Sequence, residues 1–117
     1  MSTYLQTAFG FIPLNAISCA FKTVCKYVDK LARDYIDNSG YEGCFGHGLG
    51  HSVGIEIHEN PSFSKRCETK LKSGMVLTVE PGIYIENKFG VRIEDMVIIN
   101  DTSFENITRS PKELIIL

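Results

Sequence analysis

All three histidines of this chain lie in one glycine-rich stretch near the middle of the sequence, at positions 47, 51 and 58. They are interleaved with four glycines, Gly46, Gly48, Gly50 and Gly54. Glycine lets the backbone approach a ligand closely, and neutral imidazole is the commonest protein ligand for borderline metal ions. The stretch therefore predicts a metal site built partly on irregular backbone, and constrains the fold to one that can hold such a loop.

Two carboxylates in unusual settings extend this hypothesis. Glu80 ends the apolar run Met75–Val79 and precedes a Pro-Gly pair, and Glu94 lies inside the apolar run Val91–Ile99. Strand ends present functional groups from a rigid base. One His and two carboxylates favour Mn²⁺, Fe²⁺, Co²⁺ or Zn²⁺. Such an ion activates water and polarises a carbonyl, which are the two requirements of amide hydrolysis.

Taken singly, the same residues also have structural interpretations. Glu80 could be an exposed strand terminus. Arg92 and Glu94 lie on one face of a predicted strand and could form a surface ion pair worth under about 1 kcal/mol. His51 and His58 are seven residues apart, so an extended segment would place them on opposite faces unless a bend or bulge intervenes. A division of roles is the more natural arrangement, in which one histidine binds metal and another contacts substrate or moves protons.

Composition bounds the class of protein. A chain of 117 residues with 44% hydrophobic and 22% charged residues is a single globular domain. A net charge of −2 and the lack of a Lys/Arg run argue against nucleic-acid binding. Four cysteines without CxxC spacing indicate a reduced, cytoplasmic setting. The apolar segment Ala8–Phe21 is too short to span a bilayer and lacks a basic region before it, so no membrane association is expected.

The chain changes character near Gly40. Before it, apolar residues recur with helical spacing, at Val24, Val28, Leu31, Ala32, Tyr35 and Ile36. Residues 38–40, Asn-Ser-Gly, then predict the end of this helix. After it, the pattern predicts strands over Val53–His58, Met75–Glu80, Ile83–Ile85, Val91–Ile99, Phe104–Thr108 and Lys112–Leu117. The predicted fold class is α+β, with a helix before a largely antiparallel sheet.

Five motifs in order carry a resemblance to a known family: Phe45–His51, Ile57–Glu59, Val79–Tyr84, Gly90–Asp95 and Ser110–Ile115. Together they resemble the C-terminal half of the pita-bread metallopeptidases, which include methionine aminopeptidases, Xaa-Pro aminopeptidases and Xaa-Pro dipeptidases (prolidases). The Arg-Ile-Glu-Asp and Ser-Pro-Lys-Glu-Leu stretches resemble the Xaa-Pro branch. The resemblance implies that residues 24–117 form the C-terminal half of a pita-bread catalytic domain, preceded by an atypical segment, residues 1–23.

The resemblance also implies a set of metal ligands. The family holds two divalent cations, usually Mn²⁺ or Co²⁺ with Zn²⁺ possible, by two Asp, one His and two Glu. By position, His51 resembles the ligating histidine and Glu80 the first ligating glutamate. Glu94 resembles the second glutamate, which bridges both ions.

Further roles follow by position in the same motifs. His58 resembles the histidine that contacts substrate and stabilises the tetrahedral intermediate. His47 and Arg92 resemble supporting residues near the substrate. In the family reaction a bridging hydroxide attacks the amide carbonyl, and Glu80 resembles the glutamate that handles the proton. The implied substrate is an Xaa-Pro peptide.

The two aspartate ligands have no counterpart in the sequence. Asp29, Asp34 and Asp37 lie on the predicted helix and do not match the family's aspartate motif. We therefore expect a truncated Xaa-Pro peptidase domain that is inactive alone, with an apolar face covered in a homo-oligomer or by a missing N-terminal half. Two alternatives remain open at this stage: a non-catalytic pita-bread module that binds peptide or protein, and a split enzyme whose other half is a separate chain.

Overall fold

The computed structural model describes residues 23–112 and residue 116. Helix α1 spans Cys25–Ile36 and continues into a π-helical turn, Asp37–Tyr41. The strands are β1 Gly50–Ser52, β2 Glu59–Phe63, β3 Val76–Val79, β4 Gly82–Ile85, β5 Phe89–Arg92, β6 Asp95–Ile99 and β7 Phe104–Asn106. The atypical segment 1–23 and the strand predicted over 112–117 lie outside the described residues, except for residues 23, 112 and 116.

The strands form one five-stranded sheet and one hairpin. In the sheet the order is β2-β1-β3-β6-β7, and each neighbouring pair is antiparallel. Strands β4 and β5 pair only with each other, also antiparallel. In the part of the chain that the structure describes, an α-helix and a fully antiparallel sheet confirm the predicted α+β class.

Helix α1 buries a stripe slightly different from the predicted one. Its buried residues are Cys25, Val28, Asp29, Ala32 and Ile36. Leu31 and Tyr35 belong to the predicted apolar spacing but lie outside the buried stripe, since these side chains are 48% and 38% exposed. Each step along a helix turns by about 100°, so the stripe that includes Asp29 excludes both of them. The predicted helix end is close to the observed one, because Gly40 has a left-handed φ of 88° in the π-helical turn.

The strand predicted over Val53–His58 was wrong. Strand β1 stops at Ser52, and the residues up to β2 form a bent loop with Ile55 and Ile57 exposed. The pairing of β1 with β2 shifts register between His51 and Ser52, and the loop closes on its own hydrogen bond from the Gly54 N–H to the Glu56 carbonyl (3.1 Å). The alternation of apolar and polar residues there does not mark a buried face.

The long strand predicted over Val91–Ile99 is two strands. Strand β5 ends at Arg92 and β6 begins at Asp95, and the Ile93 N–H donates to the Pro81 carbonyl instead of a sheet partner (3.3 Å). Glu94 therefore lies at a break between strands. The strands predicted over Met75–Glu80, Ile83–Ile85 and Phe104–Thr108 are confirmed, with ends that differ by one or two residues.

A single core joins the helix to the sheet. Its completely or almost completely buried apolar side chains come from α1, the loop before β1, the β2–β3 connection and strands β2, β3, β4 and β6: Cys25, Val28, Ala32, Ile36, Phe45, Leu49, Phe63, Leu71, Leu77, Val79, Ile83, Val97 and Ile99. Among the described residues, no helix has the length and apolar character needed to cross a bilayer.

The close approach of β1 to β3 requires glycine at position 50, and this generates a prediction. A Cβ on Gly50 would lie 1.9 Å from the Thr78 carbonyl oxygen, whereas a Cβ on Gly46 would meet nothing within 4 Å. We expect Gly50→Ala to lower the free energy of unfolding by about 3 kcal/mol, at the upper end of overpacking costs. Gly46→Ala, the matched control, should change it by less than about 0.5 kcal/mol. Urea denaturation would measure both, and equal losses would contradict the β1–β3 packing.

Candidate metal centre

Glu80 is the centre of the candidate site. It is the first residue after β3, and its side chain is only 12% exposed. Its backbone N–H donates to the Leu49 carbonyl at 2.7 Å, which ties the end of β3 to the loop before β1. The interpretation of Glu80 as an exposed strand terminus is therefore wrong. A buried carboxylate requires polar partners.

Thr78 supplies one of those partners. Its hydroxyl donates to Glu80 Oε1 at 2.7 Å and accepts the His51 N–H at 3.0 Å. The Thr78 side chain is itself buried. The Thr78 hydroxyl thus fixes both the Glu80 side chain and the backbone of His51, which are two of the candidate ligands. Sequence reasoning missed Thr78, although its i, i+2 relation to Glu80 along the strand was an available signal.

His51 faces Glu80 with its free nitrogen. The His51 Nε2 atom lies 3.2 Å from Glu80 Oε1, and Nδ1 lies 3.0 Å from the Ser52 carbonyl oxygen. Because a carbonyl only accepts, Nδ1 carries the hydrogen of that bond and the Nε2 lone pair of the neutral ring points toward the carboxylate. Two lone-pair donors this close are stabilised by a proton or a cation between them. Neighbouring ligands of one transition-metal ion are about 3 Å apart, so this pair fits a divalent cation.

Arg92 separates Glu80 from Glu94. Its guanidinium lies 3.6 Å from Glu80 Oε2 and 3.7 Å from Glu94 Oε2. Arg92 and Glu94 are about half exposed. Across residues 23–112 and 116, no three His, Cys, Asp or Glu side chains gather closely enough to hold a metal ion. The structure therefore brings together two of the three predicted ligands, and the assignment of Glu94 stays a prediction.

His58 lies against His51 despite the odd spacing. Their ring centroids are 4.3 Å apart, with the rings tilted by 52°. The register shift after His51 and the bent loop that follows provide the bend that the sequence required. His58 is on the exposed side of this pair.

His47 occupies a separate position with its own partners. Its Nδ1 donates to the Gly48 carbonyl at 2.8 Å, and its Nε2 accepts from the Tyr84 hydroxyl at 3.0 Å. Its ring meets the rings of Phe45 and Tyr84 edge-on, at centroid distances of 5.0 and 5.5 Å. Tyr84, on β4, was not predicted as a site residue, although it lies inside the same motif as Glu80.

A buried ion pair on α1 holds the loop that carries these histidines. Arg33 donates to both carboxylate oxygens of Asp29 at 3.2 Å, and also to the carbonyls of Phe45 and His47. Asp29, fully buried, accepts the Leu49 N–H at 2.9 Å. The Arg33 guanidinium also lies over the Phe45 ring, 4.4 Å from its centroid. Sequence reasoning gave these residues no role, although an i, i+4 acid–base pair on the buried face of a helix was visible.

Comparison with known proteins identifies the chain's family. The model of metallopeptidase family M24 matches residues 14–101, well over half of the sequence. The chain belongs to metallopeptidase family M24. Membership implies use of divalent metal, in agreement with the His51–Glu80 pair.

Individual relatives agree with this membership. The chain is 50% identical over 90 residues to an Xaa-Pro dipeptidase of Pyrococcus furiosus, covering 77% of this chain and 26% of that protein. It matches the structure of an Xaa-Pro dipeptidase from Bacillus anthracis with a TM-score of 0.81 and 43% identity, covering 97% of this chain and 33% of the other. The fold is thus that of part of the pita-bread prolidases. This M24 chain spans about a quarter to a third of the length of such relatives.

One of the matched structures contains a di-nuclear active site. The matched X-prolyl aminopeptidase from Caenorhabditis elegans is described as a cytosolic enzyme with a di-nuclear active site. The match has a TM-score of 0.65 and 30% identity, and covers 79% of this chain and 17% of the other. Two metal ions are thus a property of that relative.

The buried pair on α1 can be tested against an exposed pair with the same spacing. Asp29→Asn leaves the Arg33 charge uncompensated and nearly inaccessible to water, so we expect a loss of about 3 kcal/mol in the free energy of unfolding. Asp34 pairs with Lys30 four residues away, but both side chains are about half exposed or more. Asp34→Asn, the matched control, should cost less than about 1 kcal/mol. Chemical denaturation would decide, and similar losses for the two variants would contradict the role assigned to Asp29.

Proposed function

We propose that this chain supplies part of the catalytic domain of a metallopeptidase that hydrolyses the bond between an N-terminal residue and proline. The observation that carries the proposal is the 3.2 Å approach of His51 Nε2 to Glu80 Oε1, both positioned by Thr78. The relatives, which are Xaa-Pro dipeptidases and an X-prolyl aminopeptidase, support the substrate class.

His51 and Glu80 would hold the cation, and Glu94 would complete the set contributed by this chain. Mn²⁺ is the expected ion, with Co²⁺ or Zn²⁺ as alternatives, and the complete site would hold two ions. When bound, such ions make water a nucleophile at neutral pH and polarise the amide carbonyl. For Glu94 to join the other two ligands, the Arg92 side chain between them must move, and its half-exposed position allows this.

The remaining side chains would act on the peptide. Glu80 Oε1 already accepts the Thr78 hydroxyl, so Oε2 is the atom that would take the proton from the attacking water. His58, on the exposed side of His51, would donate a hydrogen bond to the amide oxygen as its negative charge develops. His47, oriented by Tyr84, and Arg92 would bind the substrate.

The described residues supply too few donors for a dinuclear centre. Full coordination would therefore require donors from a longer protein, a second copy or a separate chain, and the chain alone should be inactive or nearly so. Exposed Ile55 and Ile57 beside His58 support a covering partner at this surface. A cytoplasmic location is proposed from the cytosolic relative.

The lack of a three-donor group among the described residues also favours a second candidate, a non-catalytic module that binds Xaa-Pro peptides. Such a module would bind peptide with the same affinity with and without Mn²⁺. Calorimetric titration of Gly-Pro under both conditions would distinguish the candidates.

Metal binding by the isolated chain is the first prediction of the proposal. We expect Mn²⁺ to bind weakly, in at most one site, and His51→Ala to reduce the affinity at least tenfold because it removes one of two converging donors. His47→Ala, the matched control, should leave the affinity unchanged, since Nε2 of His47 already accepts the Tyr84 hydroxyl. Isothermal titration calorimetry measures both, and equal effects of the two variants would contradict the assignment.

Hydrolysis is the second prediction. With saturating Mn²⁺, we expect the chain to release no proline from an Ala-Pro dipeptide above the rate of its own Glu94→Ala variant. An amino-acid release assay over a day would detect slow turnover. Turnover that Glu94→Ala abolishes would overturn the expected inactivity while establishing the peptidase assignment.

A further inference from the structure

Two cysteines outside the candidate metal centre face each other across the start of the helix. Cys25 is the first residue of α1, and Cys67 lies in the connection between β2 and β3. The two segments run side by side: the Cys25 N–H donates to the Thr69 carbonyl at 2.9 Å, and the Lys26 N–H donates to the Cys67 carbonyl at 3.0 Å. These backbone hydrogen bonds bring Cys25 and Cys67 close together. Both are free thiols in the structure.

The two thiols differ in exposure and in acidity. Cys25 is fully buried, and this burial, together with the neighbouring Cys67, raises the pKa of Cys25 to about 12. Cys67 is partly exposed. Burial by itself would raise the pKa of Cys67, but hydrogen bonds with Thr69, the Ser62 backbone and the Cys25 thiol outweigh it and lower the pKa. A partly exposed thiol with a lowered pKa, next to a second thiol, is the arrangement of a reactive cysteine with its resolving partner.

We propose that Cys25 and Cys67 form a thiol-modification site that reacts with small-molecule disulfides, such as glutathione disulfide, and closes to an intramolecular disulfide. In the first step Cys67 loses its proton to water, and the resulting thiolate attacks one sulfur of the reagent, forming a mixed disulfide and releasing one reagent thiolate. In the second step Cys25 loses its proton to water and attacks the Cys67 sulfur, releasing the second reagent thiolate. The two protein thiols are oxidised by two electrons, and the reagent disulfide is reduced to two thiols.

The backbone hydrogen bonds between the two segments favour the second step. Cys25 is already beside the Cys67 sulfur, so its high effective concentration compensates for its weak tendency to ionise. The product would fasten the first turn of α1 to the β2–β3 connection. Since α1 also carries Asp29 and Arg33, which hold the histidine loop, the cross-link would stabilise the scaffold of the metal centre through its restriction of the unfolded chain.

Intact-mass analysis of the whole chain, incubated with a glutathione disulfide–glutathione buffer, tests the proposal. The wild type should lose two hydrogen atoms and retain no glutathione, and a non-reducing peptide map should show Cys25 joined to Cys67. Cys25→Ser should stop at one glutathione per chain on Cys67, because the resolving thiol is absent. Cys25→Ala serves as a second variant should buried serine disturb folding. Cys44→Ser, the control, should form the same disulfide as the wild type.

Three results would overturn the proposal. The first is a wild type that keeps glutathione on Cys67. The second is a disulfide that uses Cys19 or Cys44 in place of either residue. The third is a Cys67 that reacts with glutathione disulfide no faster than Cys44 does. The first would show that the thiols cannot reach bonding distance, the second that Cys25 and Cys67 are not the reacting pair, and the third that Cys67 is not the attacking group.

Discussion

The buried pair of Asp29 and Arg33 is the interaction on which the candidate site depends. Arg33 binds the carbonyls of Phe45 and His47, and Asp29 accepts the Leu49 N–H, so a loop rich in glycine is fastened to a rigid helix at three points. Such a loop would otherwise sample many conformations, since glycine restricts the backbone least. A buried ion pair is costly unless its remaining hydrogen-bonding capacity is used, and here backbone groups of the loop use it. The same contacts that satisfy the pair therefore order the loop.

Leu49 transmits this order to the end of β3. Its N–H is bound by Asp29, and its carbonyl accepts the Glu80 N–H at 2.7 Å. Leu49 thus connects Asp29 of α1 to Glu80 of the candidate metal centre. Thr78 closes the arrangement by binding both the His51 N–H and Glu80 Oε1. A helix, a loop and a strand, each packed in the core, thus hold the candidate ligands His51 and Glu80 close to each other. Metal binding requires this kind of preorganisation.

Sequence reasoning reached the candidate ligands more easily than the groups that hold them. Glu80 and His51 could be proposed as ligands because motif spacing identifies residue types that do chemistry. Periodicity located α1 and most strands, but it failed over Val53–His58, since alternation in residue type contains no information about the register shift after His51. Asp29 was overlooked because a charged residue on a helix is expected at the surface. Its hydrogen bond with the Leu49 N–H involves a backbone group, and the identity of a residue does not predict such a bond. The break between β5 and β6, which places Glu94 beyond Arg92, was also missed, because residues Val91–Ile99 have the pattern of a single strand.

The most direct test of the account is an anomalous difference map from crystals of the chain grown with Mn²⁺. The account predicts a peak within coordination distance of His51 Nε2 and a carboxylate oxygen of Glu80, with the Thr78 hydroxyl still bound to Glu80. Peaks confined to exposed carboxylates, or His51 and Glu80 joined directly with no ion between them, would contradict it.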